Sequence, residues 1–341
     1  MSNKNYFWSY NLNSTYFFMF IMIMMNFLSL MTNNLNYLWI LLEINLLIFL
    51  FLFTQNSKQF STIAMFFIIQ SLSSLILIFI FNMNSSLFNL NFINMWFYLT
   101  MSMKLGLFPF SWLPLMFFKN MNWMMIFIYS TLQKFIPFLM IKNMFNLNQN
   151  YWIFYICLIS MIFSTISSLF LNNFKSIMAM SSINNSCWMI ILLINNFYYF
   201  ILYFIIYSII MLMISKYLFK LNINFNYEFI YMFSNKKYSM IYFTLLLFML
   251  SMIPPMCSFI IKLNASMFLI YNNMMITNMI LMIYSTLSIL MYLNILIKSL
   301  YFMFIKYKII YNFFNMNKNM FSLMIMSFSL MTMFLLIYLL L

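Results

Sequence analysis

Apolar residues run along this chain in blocks of about twenty, separated by short stretches where Asn, Lys, Ser and Tyr collect. The blocks fall at about 16–32, 36–53, 62–82, 90–110, 121–141, 151–171, 175–195, 197–219, 239–259, 274–296 and 320–341. A helix rises 1.5 Å per residue, so blocks of this length match a hydrocarbon layer of roughly 30 Å. Backbone polar groups in lipid must be satisfied internally, which leaves helices or closed barrels. Barrel strands would alternate polar and apolar residues over segments of about ten, a pattern absent here. The reading is an all-α polytopic transmembrane helical bundle of about 11 spans, forming a single transmembrane domain over 1–341. Its core lies at about 36–298, with an interfacial segment and a last span over 299–341. Residues 111–118 are expected to form a short surface segment, because Pro114 discourages a continuous helix. The most polar loop is 220–238, which carries Lys220, Glu228, Lys236 and Lys237.

Composition strengthens this reading. Hydrophobic residues make up 66% of the 341 and charged residues only 5%, too little to solvate a globule. The chain has no His, Asp, Val or Arg, a single glycine (Gly106), and three alanines, Ala64, Ala179 and Ala265. The enriched types are Phe, Ile, Leu, Met, Asn, Tyr and Lys, all of which can be encoded with A and T alone. Forty-one methionines fit that bias when AUA is read as Met, as in many mitochondrial codes. The bias is a genome signature, so a single Met is read as tolerated apolar filler, not as a metal ligand. The start, Met1-Ser2-Asn3-Lys4-Asn5, is not Arg-rich and shows no cleavage-like site, so no presequence is expected. Cys157, Cys187 and Cys257 are far apart, with no C-x-x-C pair, and are expected as buried free thiols with no metal or cluster site.

The lysines set an orientation. With eleven spans, one face collects Lys4, Lys58, Lys119, Lys175, Lys216, Lys220, Lys236, Lys237, Lys298, Lys306, Lys308 and Lys318. The other face receives only Lys142. By the positive-inside rule the N-terminus belongs on the matrix face of a mitochondrial inner membrane. The net charge of +14 is then explained by solvated loops against an anionic leaflet, with no nucleic acid implied.

Four ionisable residues stand apart from the loops: Glu43, Lys104, Lys134 and Lys262. Charge inside a membrane costs a few kcal/mol even on lenient scales, which marks such positions as functional by default. The bland alternative is a lysine near a span end snorkelling to the headgroups. Lys104 and Lys134 lie six or seven residues from their nearer span ends, and Glu43 seven residues into its block with a shorter side chain. For Lys262 the outcome depends on where the ninth helix ends. Lys104 is followed by Gly106 and Pro109, and Lys262 is preceded by Pro254-Pro255. A broken span with a charge, once in each half, is the pattern of transporters built from inverted repeats. No phosphate loop, nucleophile–base set or cofactor fingerprint is present.

These positions fall within five longer motifs. Met103-Lys104-Leu105-Gly106-Leu107-Phe108-Pro109-Phe110-Ser111-Trp112-Leu113-Pro114 resembles K-x-G-x-x-P-F-H-F-W-x-P, and Gln133-Lys134-Phe135-Ile136-Pro137 resembles W-Q-K-x-x-P. Ser181-Ser182-Ile183-Asn184-Asn185-Ser186-Cys187-Trp188 is similar to S-S-I-x-H-x-G-W. Ser251-Met252-Ile253-Pro254-Pro255 through Phe259-Ile260-Ile261-Lys262 is similar to G-G-L-P-P…F-x-P-K, and Trp39-Ile40-Leu41-Leu42-Glu43-Ile44-Asn45 to W-x-G-L-E-x-N. Together, in this order, they resemble the NADH–ubiquinone oxidoreductase chain 2 family in its animal form, which lacks the first three helices of bacterial relatives. Elimination points the same way: without His the chain cannot hold haem or copper as other mitochondrial membrane subunits do. Without Arg it does not fit the proton-channel subunit of ATP synthase. The sequence departs from the family at Ser111 and Asn185, where His is usual, at Leu115, where an acid is frequent, and at Cys187 and Ile253, where Gly is usual.

The resemblance implies an antiporter-like subunit with two broken helices in the membrane arm of the respiratory complex. It implies a proton relay through Glu43, Lys104, Lys134, Lys262 and water, coupled to quinone reduction on other subunits. No cofactor is expected in this chain; NADH, FMN, iron–sulfur clusters and ubiquinone would be bound elsewhere in the complex. Expected partners are the other membrane-arm subunits and bilayer lipid, including anionic lipid. Two alternatives stay open: a scaffold subunit without its own proton path, and a stand-alone cation/proton antiporter. The relay requires Glu43 and Lys104 to face each other within roughly 10 Å in a site closed to lipid.

Overall fold

The computed structural model describes residues 3–56, 59–82, 90–148, 152–221, 237–251 and 257–307. The described residues form helices joined by short connections, with no strand among them. In chain order these are α1 (Asn3–Met31), α2 (Leu35–Asn56), α3 (Phe60–Asn82), α4 (Leu90–Leu105), α5 (Trp112–Asn120), α6 (Trp123–Ser130) and α7 (Leu132–Asn148). They continue with α8 (Trp152–Phe170), α9 (Phe174–Asn195), α10 (Phe197–Leu221), α11 (Lys237–Leu250), α12 (Cys257–Tyr271) and α13 (Met275–Tyr307). Every apolar block but the last is mainly helix; 320–341 lies outside the described residues, as do 222–236 of the polar segment. Among the described residues, seven helical segments are long and apolar enough to cross a membrane, α6 and α7 together making one of them. Two shorter apolar helices, Thr15–Met31 and Ser258–Tyr271, accompany them.

The distribution of polarity is that of a lipid-solvated bundle. On α3 the buried stripe is Ile63, Phe66, Gln70, Ser73, Ser74, Leu77 and Ile80, a helical period that takes its polar residues inside. Its outward positions are Phe67, Ile68, Leu72, Leu75 and Phe79, all apolar and all exposed. With lipid as solvent, small and polar residues belong at helix–helix contacts, where they let backbones approach and find partners.

Helix α9 is the axis of the bundle, touching α5, α7, α8, α10, α12 and α13. Apart from Lys175, its residues from Phe174 to Leu193 are buried, including Ser176, Ser181, Ser182, Asn184, Asn185 and Ser186. Most of these serines return their hydroxyl to the carbonyl three residues back, as Ser181 does to Met178 and Ser182 to Ala179. That leaves the helix able to bury these hydroxyls without stranding their donors.

Three features differ from the sequence reading. Residues 112–120 are a helix, not a surface segment: Leu113, Pro114, Phe117 and Phe118 are buried, and α5 packs on α9. Pro114 is the third residue of α5, within the first turn, where its missing N–H has no partner to lose. Second, the block 121–141 is interrupted at Thr131, between α6 and α7. Third, the block 239–259 ends early: α11 stops at Leu250, and α12 begins at Cys257 and runs on to Tyr271. The expected interfacial segment over 299–318 continues α13 as far as Tyr307, the remainder lying outside the described residues.

Candidate functional site

Lys104 is the penultimate residue of α4, and the chain breaks immediately after it. Gly106 has φ +72°, the left-handed conformation that suits glycine, and the Leu107 N–H donates back to the Ser102 carbonyl at 2.9 Å. This is the glycine-terminated helix end, closed by a six-to-one hydrogen bond. A methyl group at Gly106 would lie 2.3 Å from Pro114 Cγ, so the glycine also admits the first turn of α5. Lys104 is thereby fixed, 5% exposed, at a helix end inside the bundle. Its Nζ lies 3.8 Å from Oε1 of Glu43 on α2. At an effective dielectric near 20 that separation is worth about 4 kcal/mol of attraction. Burying an ammonium costs several kcal/mol, so the two effects are of the same order. The separation falls inside the span the relay requires, but closure is incomplete on this chain alone: the Glu43 side chain is 26% exposed. Its Oε1 is buried against Lys104, so the exposed part of Glu43 is the side of the side chain turned away from the pair.

Behind Lys104 lies a cavity of about 10 Å³, lined by Gln70, Lys104, Tyr129 and Gln133 with Leu42, Phe66 and other apolar neighbours. That volume is the size of one water, and the polar lining offers the two to four partners that a water needs. Among the described residues the Tyr129 hydroxyl and Lys104 Nζ are both buried without a hydrogen-bond partner, Lys104 having only its ion pair with Glu43.

Gln133 leads to the second lysine. Lys134 is fully enclosed in the first turn of α7, 2% exposed, and its Nζ donates to the Ser182 carbonyl at 3.3 Å and reaches the Ser182 hydroxyl at 3.5 Å. The interruption at Thr131, with φ −120° and ψ −76°, puts the Lys134 backbone in a tight turn, its N–H bonded to the Thr131 carbonyl. Lys262, 1% exposed, lies in the second turn of α12, past the gap after α11. Residues 252–256, including the Pro254-Pro255 pair, lie outside the described residues. The Ser258 hydroxyl is within bonding distance of the Met249 and Ser251 carbonyls, tying the two helix ends together. Lys262 Nζ stands 5.8 Å from the Trp188 ring and 5.9 Å from the Tyr203 ring, within the range of cation–π attraction.

The last two lysines therefore read one face of α9. Ser182 receives Lys134, Trp188 faces Lys262, and Asn185 between them accepts a 2.9 Å hydrogen bond from the Tyr203 hydroxyl. The spacing of 182, 185 and 188 is a helical stripe, and six residues span about 9 Å along the axis. Asn185 thus fills a polar position with a satisfied amide, and Ser111 is buried at the start of α5. Sequence reasoning missed this stripe and the Thr131 interruption. Pro137, which cannot donate to the Gln133 carbonyl, lies six residues past the interruption and does not mark its place. Cys157 and Cys187 are buried free thiols, Cys187 beside the Ser160 hydroxyl at 2.9 Å.

No protein-family profile matches the chain. It is 30% identical over 218 residues to NADH-ubiquinone oxidoreductase chain 2 of Apis mellifera ligustica, covering 63% of this chain and 65% of that one. It is 31% identical over 166 residues to the protein of the same name from Aedes aegypti, covering 47% and 46%. The matched part thus spans just under two thirds of the first relative and under half of the second. Among solved structures, a chain of respiratory complex I from Thermus thermophilus has a TM-score of 0.68 at 15% identity, covering 79% of this chain and 66% of its own. A chain of the Mrp complex from a Dietzia species scores 0.65 at 14% identity, covering 79% and 57%. The resemblance carried by the five motifs is borne out by the curated relatives. The protein is a polytopic helical bundle similar in sequence to NADH-ubiquinone oxidoreductase chain 2 and in fold to chains of complex I and the Mrp complex.

Proposed function

We propose that this chain is a proton-translocating membrane-arm subunit of respiratory NADH:ubiquinone oxidoreductase, in the mitochondrial inner membrane with its N-terminus in the matrix. The observation that carries the reading is the Glu43–Lys104 pair at 3.8 Å, set on the break of α4. Attraction and desolvation are of similar size there, so a small movement of either group changes which charge state the site prefers. From Lys104 a proton has the cavity lined by Gln70, Tyr129 and Gln133 as its way toward Lys134. Beyond Lys134, the Ser182–Asn185–Trp188 face of α9 and the Tyr203 hydroxyl lead to Lys262. NADH oxidation and quinone reduction belong to other subunits, as do the flavin, clusters and quinone.

Glu43 adds the direction of coupling. A carboxylate one quarter exposed in mid-span faces hydrocarbon unless another chain covers it, and lipid is a costly neighbour for it. A neighbouring membrane-arm subunit on this side of α2 supplies both the cover and a route for charge. A scaffold would not need buried lysines at both breaks. A stand-alone antiporter shares the fold, but the sequence likeness to NADH-ubiquinone oxidoreductase chain 2, 30% identical over 218 residues, favours the respiratory complex.

The test is Lys134→Met in the assembled complex, reconstituted into vesicles, with protons moved per electron as the readout. The expected result is a loss of about tenfold or more of this subunit's contribution, the scale of one step removed from a relay. An unchanged ratio would reject the relay and favour the scaffold.

A further inference from the structure

Two residues of the quoted motifs, Asn45 and Gln133, are not among the charged members of the relay, although Gln133 lines its cavity, and they are bonded to each other's helices. The Gln133 side-chain amide donates to the Asn45 carbonyl at 2.8 Å, and the Asn45 amide donates to the Leu132 carbonyl at 3.4 Å. Asn26 on α1 donates to the same Leu132 carbonyl at 3.2 Å. Asn26 and Asn45 are both buried, at 8% and 1% exposure. Three inter-helix hydrogen bonds thus converge on two consecutive residues, directly after the Thr131 interruption and directly before Lys134.

An interrupted helix is held only by what surrounds it. Thr131 leaves the turn without the continuous ladder that would fix Lys134, and Pro137 removes a further donor one turn on. In lipid no water competes for the Leu132 carbonyl, so side-chain amides from α1 and α2 are effective partners for it. Asn45 lies two residues after Glu43 on α2, and Gln133 lines the cavity of Lys104 while preceding Lys134. Movement of α2 that alters the Glu43–Lys104 separation therefore pulls directly on the turn that carries Lys134.

We infer that Asn26, Asn45 and Gln133 are positioning residues: an amide clamp that locks the interrupted turn of α7 to α1 and α2, and transmits displacement of the Glu43 helix to Lys134. The inference rests on the proposed relay but adds Asn26, Asn45 and a mechanical link that the relay does not require. A purely architectural role would set how much complex assembles and how well it resists heat. A positioning role also sets protons moved per electron in each assembled complex.

The experiment compares Gln133→Met, Asn45→Leu and Asn26→Leu with Lys134→Met in purified, vesicle-reconstituted complex, normalised to assembled complex. Each replacement keeps approximate volume and removes a donor. For Gln133→Met the expected result is a fall of about fivefold in this subunit's share of pumping, the factor that one net hydrogen bond supplies. Asn26→Leu and Asn45→Leu, each of which leaves one donor on Leu132, give smaller falls and keep the test decisive if Gln133→Met does not assemble or is read as a loss of the cavity lining. Parent-level ratios in every clamp variant that assembles, with Lys134→Met impaired, overturn the clamp and leave the relay standing. Parent-level ratios in Lys134→Met as well overturn both.

Discussion

Removing the charge of Glu43 and of Lys104 should have unequal consequences, and the inequality follows from their burial. Lys104 is 2% exposed at its side chain, whereas Glu43 is 26% exposed. In Glu43→Gln the ammonium stays buried and loses about 4 kcal/mol of attraction, taken at 3.8 Å with an effective dielectric near 20. Solvent and partner screening at the open side of Glu43 reduces this, so about 2–3 kcal/mol is the expected cost in stability. In Lys104→Met a near-isosteric apolar chain fills the site and no ammonium is stranded; Glu43 loses its counter-ion but is partly exposed toward the neighbouring subunit proposed to cover it, so the cost is smaller, about 1–2 kcal/mol. Both single variants should lose the subunit's pumping, because either one removes a member of the pair. The double variant should assemble better than Glu43→Gln, since it no longer buries an unpaired ammonium, yet pump no better. The assays are the yield and thermal midpoint of the assembled complex, with protons per electron in vesicles. The reasoning fails if the two stability effects simply add, which would mean no coupling across the pair. It fails equally if Glu43→Gln pumps at the parent level.

Other outcomes follow from the same structure. Gly106→Ala should lower the yield of assembled complex sharply, because the new methyl meets Pro114 at 2.3 Å and the backbone is left-handed; thermal stability of what assembles reads this. Tyr203→Phe strips the 2.9 Å hydrogen bond from a buried Asn185 and should cost about 1–3 kcal/mol of stability, seen as a lower thermal midpoint. Ser182→Ala should matter little for pumping, since Lys134 keeps the Ser182 carbonyl at 3.3 Å, the nearer of its two partners. Protease applied to the intermembrane side of mitoplasts should leave the polar stretch 220–238 uncut; cleavage there would overturn the proposed span count and orientation.

How much of this was legible beforehand depends on the kind of signal. Span positions were readable, because the length of an apolar block is fixed by the thickness of the hydrocarbon. The break after Lys104 was readable too, since Gly106 and Pro109 announce it. The interruption at Thr131 was not: threonine is only mildly unfavourable in a helix, and Pro137 stands a full turn and more away. The burial of α5 was misread because a proline discourages a helix interior but is harmless in a first turn. The amide clamp was invisible for another reason. A bond from Gln133 to a carbonyl on α2 depends on how two helices pack, and no period along the chain records that. Nor could the sequence say that Glu43 lies open on one side, since exposure in mid-span depends on which helices the chain itself supplies.

The composition offers one more step. In a chain drawn toward residues with A- and T-only codons, proline and glycine require G or C and are correspondingly scarce, with one Gly and five Pro in all. Every one of the six stands at or near an interruption. Gly106 and Pro109 close α4, and Pro114 opens α5 against that same glycine. Pro137 follows the Thr131 turn, and Pro254 and Pro255 fall between the end of α11 and the start of α12. A lysine lies within nine residues of each. Apolar filler can drift among Phe, Ile, Leu and Met because lipid and a lipid-like core accept any of them. A left-handed turn in direct contact with a proline ring accepts only glycine, and a helix end is most cheaply enforced by a residue without an N–H. The costly codons are therefore spent where backbone geometry, not hydrophobicity, decides the structure, and those are the places where the buried lysines are held.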